Sequence, residues 1–186
     1  MTDPTTAEPV IARTRLWLER AVIGLNLCPF AKAVHARGQI RWVVSPATTP
    51  EALREALCAE LQWLAQANPA EVDTTLLIHP HVLGDFLDFN DFLGDAEQAV
   101  AELGLEGVLQ VASFHPDYQF AGTQADDIAN ATNRSPYPTL HLLREASIER
   151  AVAAFPDPGT IYEANIATLR RLGPLGWARL MNEEPS

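Results

Sequence analysis

The sequence predicts a single α/β domain: a small sheet of about three strands with crossover helices, an N-terminal helix and a C-terminal helical group. Strand-like segments at residues 39–45, 74–78 and 108–114 alternate with helical segments at 50–67 and 85–103. Connections of that length join parallel strands through right-handed crossovers. The chain has 186 residues, which is enough for one buried core, and nothing in its composition requires a second.

The N-terminal part predicts a tail followed by a helix. Residues 1–8 are rich in Pro and Thr and are predicted to be disordered, which leaves residues 9–186 as the domain. Apolar residues then recur at three- and four-residue intervals between Val10 and Leu25, as in an amphipathic helix. Pro29 disfavours helical geometry at Cys28. We therefore expect the thiol at a helix end or bend.

The first strand and first crossover helix follow. Residues 39–45 alternate partly and are rich in β-branched side chains, as in a strand. The next helix begins at Pro50, with Thr49 as its N-cap. Its buried stripe is made of leucines at positions 53, 57, 61 and 64.

Two further strands enclose the second crossover helix. The apolar run at 74–78 suits a buried strand, residues 85–103 form a helix that ends before Gly104, and residues 108–114 form the third strand. Three strands leave at least one sheet edge to be covered. The C-terminal helices or a second copy of the chain could cover it, so a homodimer is one expectation.

The C-terminal region predicts three helices, at 139–154, 159–172 and 174–181. Pro158 and Gly159 separate the first two, and the Gly173-Pro174 pair separates the last two.

Charge and composition exclude several classes of partner. The formal net charge is −11, and the 13 Lys and Arg residues are scattered rather than clustered with aromatic residues. This argues against nucleic acid and anionic membranes as partners. The uncharged runs fall well short of the ~20 apolar residues of a spanning helix. The start of the chain has no secretory pattern, and two cysteines make no disulfide framework, so we expect a cytoplasmic protein.

Residues 113–145 crowd site-forming side chains into a polar stretch with little periodic core pattern. Long ordered loops in compact domains tend to be functional. Two strands also end alike, one in His79-Pro80-His81 and the other in His115-Pro116-Asp117. If these strands are parallel, both endings lie at the edge where open α/β sheets bind ligands.

Three separated segments carry a family resemblance: residues 24–32, 112–121 and 133–145. They resemble the signature stretches of a bacterial family catalogued as domain of unknown function 1415, and the similarity extends over roughly residues 9 to 182. The resemblance implies a stand-alone bacterial protein. It carries over no activity, cofactor or catalytic residue.

The candidate catalytic residues are Cys28, His115 and Asp117. A thiol near a helix terminus and a positive neighbour such as Lys32 can become nucleophilic, although a buried Cys is more often a small hydrophobe. His115 begins the polar stretch, and Asp117 could orient it as a general acid or base. The alternative is a histidine that caps the strand and bonds to backbone.

The candidate substrate-binding residues are Asn133, Arg134, Tyr137 and His141. Two prolines stiffen the segment after Arg134, which would hold its guanidinium ready for a carboxylate or phosphate. The alternative is a buried bridge to Glu145 or Asp117. His141, placed on the predicted helix from residue 139, either points into the same pocket or satisfies a backbone group.

A metal site made by His79, His81, His115 and Asp117 is a weaker alternative. Histidine and carboxylate suit zinc, iron or manganese, and residues two apart in a strand share one face. Pro80 interrupts that geometry. No cofactor is otherwise indicated.

These residues suggest an enzyme of the hydrolase or transferase type that acts on a small anionic metabolite. In this reading Cys28 or His115 reacts, and Arg134 with its neighbours anchors the substrate. The main alternative is a non-catalytic module that binds a small ligand or a protein. The further alternative is a metal-dependent enzyme that uses the histidines.

Overall fold

A computed structural model of the protein describes residues 4–155 and 157–182, with the side chains of residues 4–6 left out. The elements are helices α1 (Pro4–Trp17), α2 (Ala31–Ala36), α3 (Pro50–Gln66), α4 (Phe86–Glu102), α5 (Glu145–Ala153) and α6 (Gly159–Asn182), and strands β1 (Ile40–Val44), β2 (Thr74–Ile78), β3 (Leu109–Phe114) and β4 (Thr139–Arg144). A π-helical turn (Leu18–Ile23) follows α1, and a 3₁₀ helix (Ile128–Asn133) precedes β4. Of the expected tail, residues 1–3 lie outside the described residues, and α1 includes residues 4–8.

The α/β class is confirmed, but the sheet has four strands rather than about three. Their order is β1-β2-β4-β3. β1 and β2 are parallel, and β4 is antiparallel to both β2 and β3. The three strands predicted from the sequence therefore run in one direction, joined by helical crossovers, and β4 returns between two of them.

Residues 139–144 form this central strand, so the helix predicted from residue 139 is wrong for its first turns. Helical structure begins only at Glu145. The run Leu140–Leu143 is apolar except at His141 because both faces of a central strand are covered. Leu140 and Leu142 are fully buried on one face, and His141 and Leu143 line the other. Pro138 just before the strand also disfavours helical backbone at Tyr137.

The two crossover helices cover one face of the sheet. The leucine stripe of α3 is fully buried and packs with Phe89 of α4 and Leu77 of β2. The predicted cap is confirmed, because the Thr49 side chain accepts a hydrogen bond from the Ala52 backbone N–H at 3.2 Å. This face holds the main hydrophobic core.

The opposite face lies under the N- and C-terminal helices. Trp17 and Leu18 pack there with Ile40 and Phe114 from the sheet and with side chains near the end of α6. α6 is interrupted at Gly173, whose φ of 70° and ψ of 170° are not helical, where the Gly-Pro pair predicted a break. Among the described residues, no helix combines the length and the apolar character needed to cross a bilayer.

Candidate functional site

A cavity of about 840 Å³ lies between this second face of the sheet and the helices above it. Its floor consists of side chains from all four strands, and α1, α2 and α5 supply its walls. The lining is mainly apolar, with floor residues Ile40, Leu76, Ala112, Phe114 and Leu143, and wall residues Trp17, Leu18, Phe30, Val34 and Ile148. Side chains that alternate along each strand divide the sheet in this way, one set entering the leucine core and the other facing the cavity.

His141, together with Thr74 and Gln110, is a polar side chain on the cavity floor. Its Nε2 lies 2.7 Å from Thr74 Oγ1, and the same hydroxyl donates to the Leu142 carbonyl at 2.6 Å. The Nδ1 atom makes no hydrogen bond within the described chain. Burial lowers the pKa of His141 to about 4, against a smaller opposing effect of Asp73. The imidazole is therefore neutral at pH 7.

Trp17 closes the cavity from α1 and is only 2% exposed. Its ring meets Phe114 edge to face, with the centroids 5.1 Å apart, and Phe114 in turn lies 5.9 Å from the His141 ring. The Trp17 indole N–H is buried without a hydrogen-bond partner. Buried indole N–H groups usually have one.

Cys28 lines the same cavity, in the bend after the N-terminal helix where the sequence predicted it. Asn26 adopts the left-handed conformation, with φ of 54°, and ends the helical turn. The following backbone folds back, so that the Leu27 N–H donates to the Val22 carbonyl at 2.9 Å. The buried Asn165 side chain of α6 donates to the Leu27 carbonyl at 2.8 Å. The thiol is free and partly buried.

Charged and polar groups form a minor part of the lining. Arg150 donates to Ser147 Oγ at 3.0 Å, and that hydroxyl donates to an oxygen of Asp73 at 2.6 Å. Arg37, at the end of α2, also lines the cavity and is exposed to solvent. Two exposed guanidinium groups thus belong to a mainly apolar lining.

His115 does not line this cavity. Its Nδ1 accepts from the Asp117 backbone N–H at 3.0 Å, and its Nε2 donates to the Leu83 carbonyl at 3.0 Å. Burial lowers its pKa. The Asp117 side chain is exposed, and Asp117 contacts the ring through its backbone N–H. The negative charge of Asp117 raises the pKa of His115, but this effect is smaller than that of burial. In this arrangement both nitrogens of His115 are engaged, as in the backbone-bonding alternative.

Asn133 and Arg134 also bond to backbone. The Asn133 amide donates to the Ser113 carbonyl at 3.3 Å. Arg134 donates to the carbonyls of Tyr118 and Ala125 at 3.1 and 2.6 Å, so it closes the polar stretch onto itself. No ion pair of Arg134 is found among the described residues.

Tyr137 contributes its carbonyl to the same region, where it accepts from the hydroxyls of Ser135 and Thr139 at 2.6 and 2.9 Å. Many polar side chains of residues 113–145 therefore form hydrogen bonds within the stretch itself and stabilise its conformation. The buried Asn130 side chain is the clearest case, since it bonds to Phe120, Thr123 and Gln124.

His79 and His115 do lie together, as the matching strand ends predicted. Their rings contact Phe89 from centroid distances of 5.7 and 5.0 Å. His79 Nδ1 bonds to the Val82 carbonyl at 3.1 Å, its Nε2 is buried without a partner, and burial lowers its pKa to about 4. His81 is exposed. Within residues 4–155 and 157–182, no three His, Cys, Asp or Glu side chains are grouped for a metal ion.

Of the seven residues proposed from the sequence, the cavity brings together Cys28 and His141. The other five lie outside its lining. Sequence reasoning missed Trp17, Thr74, Ser147 and Arg150. Trp17 and Thr74 sit in regular apolar patterns that read as core, and no local signal separates a cavity wall from a packed core. The Ser and Arg of α5 show only the helical spacing of an exposed face.

Comparison with known proteins returned one finding. A family model described as "Protein of unknown function (DUF1415)" matches residues 9–179. No significant match was found among curated proteins or among solved structures.

Proposed function

The chain belongs to this family of proteins of unknown function, and on that premise we propose that it binds a small, mainly apolar molecule in the cavity on the sheet face. The observation that carries the proposal is the cavity itself. Its volume of about 840 Å³ falls within the ~300–1,000 Å³ typical of small-molecule sites, and an apolar lining with a few convergent polar groups is their usual composition.

The two arginines favour a ligand with an anionic end. Arg37 and Arg150 line the cavity and are exposed to solvent. Asp73, the only carboxylate that the described residues contribute to the lining, is already engaged by Ser147. A guanidinium recognises carboxylate and phosphate well. An amphipathic molecule with its apolar body inside and its charged group at these arginines agrees with the anionic ligand expected from the sequence.

A titration tests the proposal directly. The probe is anilinonaphthalene sulfonate, which has an apolar body and an anionic group, and its fluorescence reports transfer out of water. The blocking variant is Ala151→Trp, since Ala151 of α5 lines the cavity. The matched control is Ala153→Trp on the same helix, an exposed position outside the lining. We expect the blocking variant to weaken binding at least about tenfold, and the control to bind like the wild type.

The outcome that defeats the proposal is equally clear. Absence of saturable binding to the wild type, or equal affinity in both variants with unchanged circular dichroism, would exclude this cavity as the site.

A second candidate function is catalysis, as a hydrolase or transferase, because Cys28 and His141 share the cavity. The lowered pKa of His141 makes it a weak base towards a thiol, and this ranks catalysis below binding. Thiol titration of the native protein tests it, with Cys28→Ser and with Cys58→Ser as the control. Fast labelling at Cys28 below pH 7, together with turnover that Cys28→Ser abolishes, supports catalysis. Labelling only after unfolding excludes it.

A further inference from the structure

We infer that the cavity selects a ligand whose inner end is neutral and donates a hydrogen bond, as a hydroxyl or amide N–H does, to Nδ1 of His141. This inference rests on the proposed function and specifies the chemistry of the ligand that the cavity takes.

The hydrogen bonds around Thr74 determine the tautomer of His141. A threonine hydroxyl has one hydrogen, and a backbone carbonyl can only accept. Thr74 Oγ1 lies 2.6 Å from the Leu142 carbonyl, so the hydrogen must point there. The hydroxyl then accepts from His141 Nε2 at 2.7 Å. Nε2 therefore carries the proton, and Nδ1 presents a lone pair.

Nδ1 is an acceptor that the described chain leaves unused. The ring lines the cavity, its surroundings are largely hydrocarbon, and burial lowers its pKa to about 4. The His141 side chain is only partly buried, so Nδ1 can be reached from the cavity. A ligand that displaces water from this acceptor without supplying a donor loses free energy. A ligand hydroxyl or N–H would supply that donor.

The same tautomer excludes an anion from this end. Ionised carboxylate and sulfonate groups only accept hydrogen bonds. Their oxygen lone pairs would therefore be repelled by the lone pair of Nδ1. An anionic group fits beside Arg37 and Arg150 instead. The cavity thus offers two kinds of polar contact: cationic guanidinium groups for an anionic end of the ligand, and the hydrogen-bond acceptor Nδ1 on the floor for a neutral end.

Trp17 also lines the cavity but offers no second polar contact. Its side chain is 2% exposed, and its indole N–H is a donor without a partner that is buried away from the accessible surface of the cavity. Phe114 contacts the rings of both Trp17 and His141. The acceptor of His141 therefore carries the selection of a donor alone.

Three naphthalenes of similar size provide the test: naphthol, methoxynaphthalene and naphthalene. Binding is measured by quenching of tryptophan fluorescence. Naphthol can donate, the methyl ether can only accept, and naphthalene does neither. We expect naphthol to bind the wild type about 10- to 100-fold more tightly than the other two, the range that corresponds to leaving a buried polar group unpaired. His141→Phe should remove this preference and keep the affinity for naphthalene.

Thr74→Val gives a readout that a merely structural role of His141 would not change. Without the hydroxyl, the tautomer is no longer imposed, and Nδ1–H becomes accessible. We expect the preference for naphthol over its methyl ether to fall at least about fivefold, and ring ¹⁵N chemical shifts to move from the Nε2–H pattern towards a mixture. This variant also serves if His141→Phe does not fold.

The outcomes separate this inference from the proposed function. If naphthalene binds in the cavity and naphthol shows no advantage, or if His141→Phe retains the advantage, the inference is wrong while the binding function stands. If wild-type ¹⁵N shifts show Nδ1 protonated, the inference is also wrong. If no naphthalene binds and the Ala151→Trp variant behaves like its control, the proposed function fails as well.

Discussion

His79 should make the protein lose stability in mildly acidic solution. The ring is fully buried, stacks on Phe89 and faces His115, and burial lowers its pKa from 6.5 to about 4. In the unfolded chain the imidazole takes up a proton below about pH 6.5, whereas in the folded chain it stays neutral until about pH 4. Stability is therefore present above pH 6.5 and falls as the pH drops through this window.

The size of the effect follows from the two pKa values of His79. Between pH 7 and pH 5 the unfolded state gains most of one proton that the folded state does not bind. By linkage, this lowers the free energy of unfolding by about 2 kcal/mol, and by about 3 kcal/mol once the pH reaches 4. Most carboxylates remain ionised above pH 5, so the upper part of the window isolates histidine titration.

Urea unfolding followed by circular dichroism at pH 7, 6 and 5 measures this loss. His79→Phe keeps an aromatic ring against Phe89 and removes the titration, so its stability should depend less on pH by about 2 kcal/mol over the same range. His81→Phe, two residues away and exposed, is the control and should follow the wild type. The reasoning is refuted if His79→Phe and the wild type lose equal stability on acidification.

Two further substitutions test groups that stabilise the fold. Arg144 donates to the carbonyls of Leu64 in the last turn of α3 and of Ala67 and Val72 beyond its end. Arg144→Met should therefore lower the free energy of unfolding by about 2–3 kcal/mol in urea, and a loss below about 0.5 kcal/mol would contradict this. Asn130→Ala removes the buried amide that bonds to the backbone of Phe120 and Gln124. We expect limited proteolysis near residues 118–125 to accelerate at least about tenfold, with cleavage elsewhere unchanged. An unchanged rate would show that other contacts order the loop.

The elements that the sequence predicted well are those whose pattern is local. The leucine stripe of α3, the Thr49 cap and the Gly173-Pro174 break all depend on residues within a few positions of one another. The bend at Cys28 is of the same kind. Such features are decided by backbone preferences and by one buried face, and both can be read from neighbouring residues.

The central strand β4 shows why other features escaped prediction. Leu140–Leu143 is apolar at every position except His141, which is compatible with either a helix or a two-sided strand. Its assignment depends on pairing with β2 and β3, which lie 60 or more and about 30 residues earlier in the chain. The placement of His141 changed with it, from a helix surface to the floor of the cavity.

By itself, the sequence determined the class of fold, three of the four strands and the helices between them. This is because the buried face of a helix or strand places apolar residues at regular intervals along the chain. Only the tertiary structure decided which polar side chains are available. It bonds His115, Asn133 and Arg134 to backbone groups and leaves Nδ1 of His141 without a partner. Hydrogen bonds between residues that are distant in the chain produce no regular sequence pattern. A cavity is a space between several elements, so it too can be located only in the folded structure.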